Sequence, residues 1–183
     1  MTQMQLPITT SRLVLRTLRD TDFDDLFEMA THPDVYRYIR PPMTAEQTRD
    51  HIQERMPPWF FEDMKWYSLA VHLKEETRVM GEVVFRYESR DCRRMEIGYR
   101  FHPEYQGKGY AYEAVKVVAD ELFEVFKIHK MAAYCIRENQ PSRRLLEKMG
   151  MKEEGVKRDQ QLLNGQWFDL VVYGVLEHEF TKG

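Results

Sequence analysis

Apolar residues recur at helical spacing over 111–126. Ala111, Ala114, Val115, Val118, Ala119, Leu122, Phe123 and Phe126 form one stripe, while Glu113, Lys116, Asp120, Glu121 and Glu124 fall off it. Elsewhere the period is two. Arg12-Leu13-Val14-Leu15-Arg16 alternates polar and apolar, and the strand-like runs 67–73, 79–87 and 95–101 lie close enough to predict an antiparallel meander. In the last run Met95, Ile97, Tyr99 and Phe101 share one face, and Glu96, Gly98 and Arg100 share the other. Further strands are predicted at 131–136, 151–156 and 167–175, with Asn164-Gly165 turning between the final two. Asp20 or Thr21 opens a helix that ends near Thr31, and a short helical piece follows Pro33. Thr44 opens a longer helix stopped by Pro57-Pro58, and Asn139 opens a last one that Gly150 ends. The order is strand, two main helices, three strands, helix, strand, helix, two strands. It predicts an α+β (mixed α/β) fold with a mostly antiparallel sheet and one right-handed crossover through the long helix.

Composition narrows the class without changing this picture. A chain of 183 residues fits one domain, 1–183, and hides roughly 70% of its extended surface. With 43% hydrophobic and 31% charged residues it is globular rather than disordered. The net charge of -3 removes any general electrostatic argument for a nucleic-acid partner. Cys92 and Cys135 cannot build a disulfide framework, and no apolar run is long enough to span a membrane. The first twenty residues contain no apolar signal core, so a cytoplasmic location is expected. The histidines are scattered, and no metal site is expected.

The segment richest in chemistry is Gln106-Gly107-Lys108-Gly109-Tyr110-Ala111, between the strand ending at Phe101 and the long helix. Two glycines let the backbone approach a ligand, and free N–H groups at a helix start favour phosphate oxygens. For a lone GxG a plain strand-to-helix turn is the better explanation. Tyr112 stands where a dinucleotide fingerprint wants a third glycine, and Gly109 stands where a P-loop wants Ser or Thr. Gly98 inside a strand marks a close backbone approach, and Glu96 faces the same way. Asn139 and Ser142 begin the last helix just after strand 131–136. A splay between the strands at 95–101 and 130–136, with a phosphate cradle at its end, would accept a long, thin, pyrophosphate-bearing cofactor.

This ordered set resembles the Gcn5-related N-acetyltransferase (GNAT) superfamily, and most closely its RimJ/RimL-type ribosomal-protein alanine N-acetyltransferases. The resemblance runs through Thr10-Ser11-Arg12-Leu13-Val14-Leu15-Arg16, Glu96-Ile97-Gly98-Tyr99, the glycine segment, Glu138-Asn139-Gln140-Pro141-Ser142 and Asn164-Gly165-Gln166-Trp167-Phe168-Asp169. It implies the GNAT fold, with about six to seven strands and four helices, and acetyl transfer from acetyl-CoA to a primary amine in a ternary complex. By the family pattern Gln106, Gly107, Lys108, Gly109, Tyr110 and Ala111 would hold the pyrophosphate. Ile97, Gly98, Tyr99, Arg100 and Phe101 would pair with the pantetheine, and Asn139 would touch its arm. Ser142 would lie near the departing sulfur. Apart from that pattern, Arg143, Arg144 and Lys148 are candidates for the ribose phosphate of CoA, with a solvated helix face as an equal alternative.

An amine attacks only when neutral, which at pH 7 holds for roughly one α-amino group in ten but about one lysine in a few thousand. A base is therefore wanted, and Glu96 is the candidate, with pairing to Arg94 or Arg100 as its purely structural role. Ser142 is the candidate proton donor to the thiolate, with Tyr99 or Tyr134 in reserve and helix capping as its structural role. Trp59, Phe60, Phe61 and Trp66 are read mainly as core. The acceptor stays open between a peptide N-terminus and a small amine such as a polyamine, amino acid or aminoglycoside. A non-catalytic acyl-CoA sensor is the competing class, and monomer and homodimer are both compatible with the sequence.

Overall fold

The computed structural model describes residues 4–181. The first half of the chain comprises β1 (Ile8–Thr9), β2 (Leu13–Thr17), α1 (Phe23–Thr31), α2 (Pro33–Tyr36), α3 (Ala45–Arg55), β3 (Tyr67–Leu73), β4 (Gly81–Ser89) and β5 (Arg94–Phe101). The second comprises α4 (Tyr110–Glu124), β6 (Lys130–Ile136), α5 (Gln140–Lys148), β7 (Lys152–Leu163) and β8 (Gln166–Leu176). Local chemistry sets the boundaries. Thr44 Oγ1 accepts from the Gln47 N–H at 3.2 Å while Gln47 Oε1 accepts from the Thr44 N–H at 2.9 Å, a reciprocal cap that starts α3. Asn164 and Gly165, at φ +50° and +78°, make the tight turn between β7 and β8.

One sheet runs in the order β1-β2-β3-β4-β5-β6-β8-β7. Every neighbouring pair is antiparallel except β5 and β6, which are parallel and linked through α4. Their pairing covers Arg94↔Lys130, Met95↔Met131 and Glu96↔Ala132, and then stops. On their outer sides β5 stays paired to β4 as far as Phe101, and β6 to β8 as far as Ile136. The predicted splay is therefore a parting in the middle of the sheet, beginning beside Glu96.

The two faces of the sheet are covered differently. Ala114, Val115, Val118, Ala119 and Leu122 of α4 pack with Leu69, Val83, Phe85 and Ile97 in the main core. On the other face, Leu26, Met29 and Ile52 of α1 and α3 pack with Ala70 and Val79. Full burial of each Val, Leu, Ile, Met or Phe side chain among them stabilises by about 1.5–3 kcal/mol, which fixes both layers against the strands. No helix among the described residues is long and apolar enough to cross a membrane.

Among the described residues the sheet has eight strands where about six to seven were expected, and it is flanked by five α-helices, the four main ones and α2, the short piece expected after Pro33. The added strand, β1, is two residues long, too short to show a period. β7 runs on to Leu163 rather than ending at 156. It is an edge strand, mostly exposed and broken by register shifts at Glu153/Gly155 and Lys157/Gln161, so its polar stretch shows no alternation. Phe101 closes the end of β5 against Gly81, where an added Cβ would fall 2.4 Å from its ring and 2.8 Å from the Arg100 carbonyl oxygen. Gly81→Ala is therefore expected to destabilise by about 1–3 kcal/mol in denaturant unfolding, because backbone on one side cannot yield.

Candidate active site

Both glycines of the 106–109 segment have left-handed backbone, Gly107 at φ +74° and Gly109 at φ +82°. A Cβ on Gly107 would meet nothing within 4 Å, so its need there is purely conformational. Gly109 is the N-cap of α4 and provides no side-chain acceptor, which leaves the first-turn N–H groups available to a ligand. The segment is braced from three directions. Gln106 Nε2 donates to the Phe101 carbonyl at 2.8 Å, and Arg12 Nη1 donates to the Lys108 carbonyl at 3.1 Å. Arg12 Nε also donates to Glu113 Oε2 at 2.7 Å, and its guanidinium lies 4.5 Å over the Tyr110 ring. Glu113 Oε1 accepts from Ser11 Oγ at 3.0 Å and from the Arg12 N–H at 3.1 Å. Burial works against the ionised Glu113, but hydrogen bonds from Thr10, Arg12 and Ser11 hold its carboxyl below the ordinary value. That contribution to stability is present above the unfolded-chain pKa and is lost as pH falls through the lower, folded one.

Glu96, Gly98 and Arg100 share the face of β5 that looks toward α1–α3. The partner of Glu96 is neither of the arginines named from sequence. Arg86, directly opposite on β4, donates from Nε to Glu96 Oε2 at 2.8 Å and places a second nitrogen at 2.6 Å. Arg94 instead pairs with Glu88, and Arg100 with Glu82. Arg86 is itself held 4.5 Å above the Trp66 ring. Burial raises the Glu96 carboxyl above its ordinary value; Arg86 opposes this, while Glu88 adds to it.

Across the parting, Asn139 Oδ1 accepts from the Ser142 N–H at 3.2 Å and caps α5. The Tyr99 hydroxyl bridges from β5, 3.0 Å from Ser142 Oγ, and donates to the Ser142 carbonyl at 3.2 Å. Burial raises the Tyr99 hydroxyl well above its usual range, and it pushes the nearby Cys135 thiol up to about 11 against a hydrogen bond to Ser142. Tyr134 belongs to a different group, donating to Glu88 Oε1 at 2.6 Å. Ser142 and Tyr99 therefore come together, while Tyr134 is drawn away toward β4.

The basic residues of α5 divide. Arg143 is committed to the Tyr173 hydroxyl at 3.0 Å and to Glu153 at 3.3 Å, Lys148 lies 4.1 Å over the Tyr112 ring, and Arg144 is exposed. Of the four aromatics, Trp59 and Phe61 pack edge-on with Tyr67, Phe85 and Phe126, and Phe60 is exposed.

The model of the acetyltransferase (GNAT) domain matches residues 12–152. The chain belongs to the GNAT acetyltransferases. Its relatives include the uncharacterized N-acetyltransferase YnaD of Bacillus subtilis (strain 168), 31% identical over 174 residues, covering 95% of this chain and 99% of that one. They also include the [ribosomal protein uS5]-alanine N-acetyltransferase of Escherichia coli (strain K12), 26% identical over 184 residues, covering 96% and 93%. A GNAT-family acetyltransferase from Bacillus anthracis superposes with a TM-score of 0.84 at 32% identity, covering 95% of this chain and 100% of that one. The eight-stranded, mostly antiparallel open sheet of this acetyltransferase is the GNAT fold.

Several contacts at the candidate site of this acetyltransferase are hard to read from sequence. Arg12 and Glu113 lie 101 positions apart, and only the fold joins them. Arg86 could have been found by pairing the two predicted strands in register, which places it opposite Glu96. The Tyr99–Ser142 contact could not, because it crosses the parting where no register exists.

Proposed function

We propose that this acetyltransferase binds acetyl-CoA in the parting between β5 and β6 and passes the acetyl group to an amine by direct attack in a ternary complex. One observation carries the reading: β5–β6 pairing stops at Glu96/Ala132, and the braced double-glycine segment lies just beyond the end of the parted β5. Acetyl-CoA would supply the activated acyl group as a thioester. The main-chain N–H groups from Gln106 to Ala111 hold its pyrophosphate at the start of α4. The strand residues Ile97, Gly98, Tyr99, Arg100 and Phe101 lie beyond the last β5–β6 pair and flank the pantetheine; main-chain groups of Ile97 and Tyr99, on the side of β5 away from β4, bind it, and an N–H among them polarises the thioester carbonyl. Asn139 flanks the arm while capping α5, and exposed Arg144 serves the ribose phosphate.

Glu96 takes the ammonium proton, directly or through water, and its raised pKa brings it nearer to the working pH of a general base. The Ser142 hydroxyl, linked to Tyr99, gives a proton to the leaving sulfur. Glu113 acts through the loop it braces, as a positioning residue. Glu113→Ala is expected to raise the KM for acetyl-CoA about tenfold, roughly 1.4 kcal/mol of binding, with kcat little changed. Steady-state kinetics varying acetyl-CoA would check this; a fall in kcat at constant KM would assign Glu113 elsewhere.

The chain works in this reading as a single domain in the cytoplasm. A protein N-terminal amine is the first acceptor to test, because one relative is named as an alanine N-acetyltransferase of a ribosomal protein. The deciding experiment mixes protein, acetyl-CoA and individual amines and follows free thiol. Amine-dependent release is expected. Tight acetyl-CoA binding without release by any amine would instead make the domain a sensor.

A further inference from the structure

Beneath α2 and α3, on the Glu96 face of the sheet, cationic side chains outnumber their counter-ions. Glu82 of β4 is fully buried, and three side chains lie against its carboxylate. His51 Nε2 lies at 2.9 Å, Ser68 Oγ donates at 2.6 Å, and the Arg100 guanidinium forms an ion pair with its other oxygen. Arg100, directly opposite Glu82 in register, has a side chain only 9% exposed. Arg55 of α3, 16% exposed, and half-buried Arg40 after α2 also act electrostatically on Glu82. Arg40 and Arg100 each lie 5.3 Å from the centre of the Tyr36 ring. Three guanidinium groups thus converge on one carboxylate, and a further acid that pairs with Arg55, Glu54, is 73% exposed and 3.6 Å away.

Nε of Arg40, of Arg55 and of Arg100 is buried and has no hydrogen-bond partner among the described residues. Buried guanidinium N–H groups without acceptors are costly, and surplus positive charge in a low dielectric adds to that cost. An oxyanion would relieve both. Planar, forked guanidinium donors suit carboxylate and phosphate oxygens.

The cluster also lies in line with the proposed chemistry. Arg100 is four residues along β5 from Glu96, roughly 13 Å at strand spacing, with Gly98 opposite Val84 between them. We infer that the acceptor of this acetyltransferase bears an oxyanion, a carboxylate or a phosphate, which Arg40, Arg55 and Arg100 bind while its amine reaches Glu96. This rests on the acetyltransferase reading above and narrows it. Polyamines and aminoglycosides, being polycations, are disfavoured by the same charges.

Matched acceptors test the inference. Dialanine is compared with dialanine amide, and phosphoethanolamine with ethanolamine, each followed by thiol release from acetyl-CoA. The anionic member of at least one pair is expected to have a kcat/KM at least tenfold higher, and the winning pair identifies carboxylate or phosphate. Arg40→Gln and Arg55→Gln, on half-buried residues, are expected to abolish that preference by raising KM for the anionic member only. Arg37→Gln, at an exposed position beyond α2, should preserve it. Equal rates within both pairs, or a preference that survives in both cluster variants, overturns the inference.

A second readout separates the two readings. With the loop saturated by CoA, inorganic phosphate should raise the Tm of the parent protein but not that of Arg40→Gln or Arg55→Gln. If no amine is turned over, the acetyltransferase reading fails. The oxyanion site then stands if this shift appears and depends on those arginines, and falls if it does not.

Discussion

Gly109→Asp is expected to leave the protein folded and to abolish the rise in Tm that acetyl-CoA gives the parent. The residue has left-handed backbone at φ +82° and caps α4. An L-residue costs about 1–2 kcal/mol there, but Asp is among the residues that adopt this conformation most readily, and as an N-cap it gains about a few tenths of a kcal/mol over Gly. The free protein should therefore melt within a few degrees of the parent. Binding is another matter. The carboxylate would compete for the first-turn N–H groups that the pyrophosphate needs and set negative charge against negative charge. Ligand at about a thousand times Kd stabilises by roughly 4 kcal/mol. For a chain of this size that corresponds to roughly 8–16 °C, all of which should vanish. A shift that persisted in Gly109→Asp would mean that acetyl-CoA is held elsewhere.

Glu96→Gln is expected to lower kcat with acetyl-CoA and a good acceptor by about 10²- to 10⁴-fold, leaving the KM for acetyl-CoA near its parent value. Gln keeps a carbonyl oxygen that can accept from Arg86, so the change removes a base without emptying the site. The pH profile separates this role from a structural one. A base acts when deprotonated, and burial raises the Glu96 carboxyl, so the rising limb it sets lies above the ordinary carboxylate range. In Glu96→Gln that limb should disappear, leaving only the titration of the amine. The linkage to stability has the corresponding sign: the folded protein holds this proton more tightly than the unfolded chain does. Ionising Glu96 therefore costs stability as pH rises through the window just above the ordinary value, and the Gln variant should lack that loss. Unchanged kcat with an unchanged pH profile would reduce Glu96 to a strand-pairing residue.

Much of the positioning framework is visible in the chain itself. Alternation over 95–101 is enough to put Glu96, Gly98 and Arg100 on one face, and the apolar stripe over 111–126 is enough to place a helix start at the glycine segment. Asn139 announces α5 through its capping chemistry, and its Oδ1 does accept from Ser142. Contacts set by long-range folding are not visible. Arg100 reads from sequence as the outward residue of a half-exposed strand, and nothing in its neighbours shows that α2 and α3 fold over it. The amphipathic signal of α3 is weak, since Thr48, His51 and Ile52 are its only buried residues. His51 carries a polar group inward, against Glu82, where periodicity looks for an apolar one. The partner of Glu96 is hidden for a simpler reason: Arg86 is ten positions away along the chain, and only the β4–β5 register sets it directly opposite.

The seam between β5 and β6 is closed by only three residue pairs. Whatever enters beyond them meets main chain on both sides, and main-chain donors and acceptors are the same for any residue except proline. A socket lined in this way can keep its grip on one extended molecule while side chains drift. Diversification is then free to fall on α1–α3, the layer covering the Glu96 face. A donor half held by main chain and a recipient half built from side chains is the division of labour that such a parted sheet makes inexpensive to evolve.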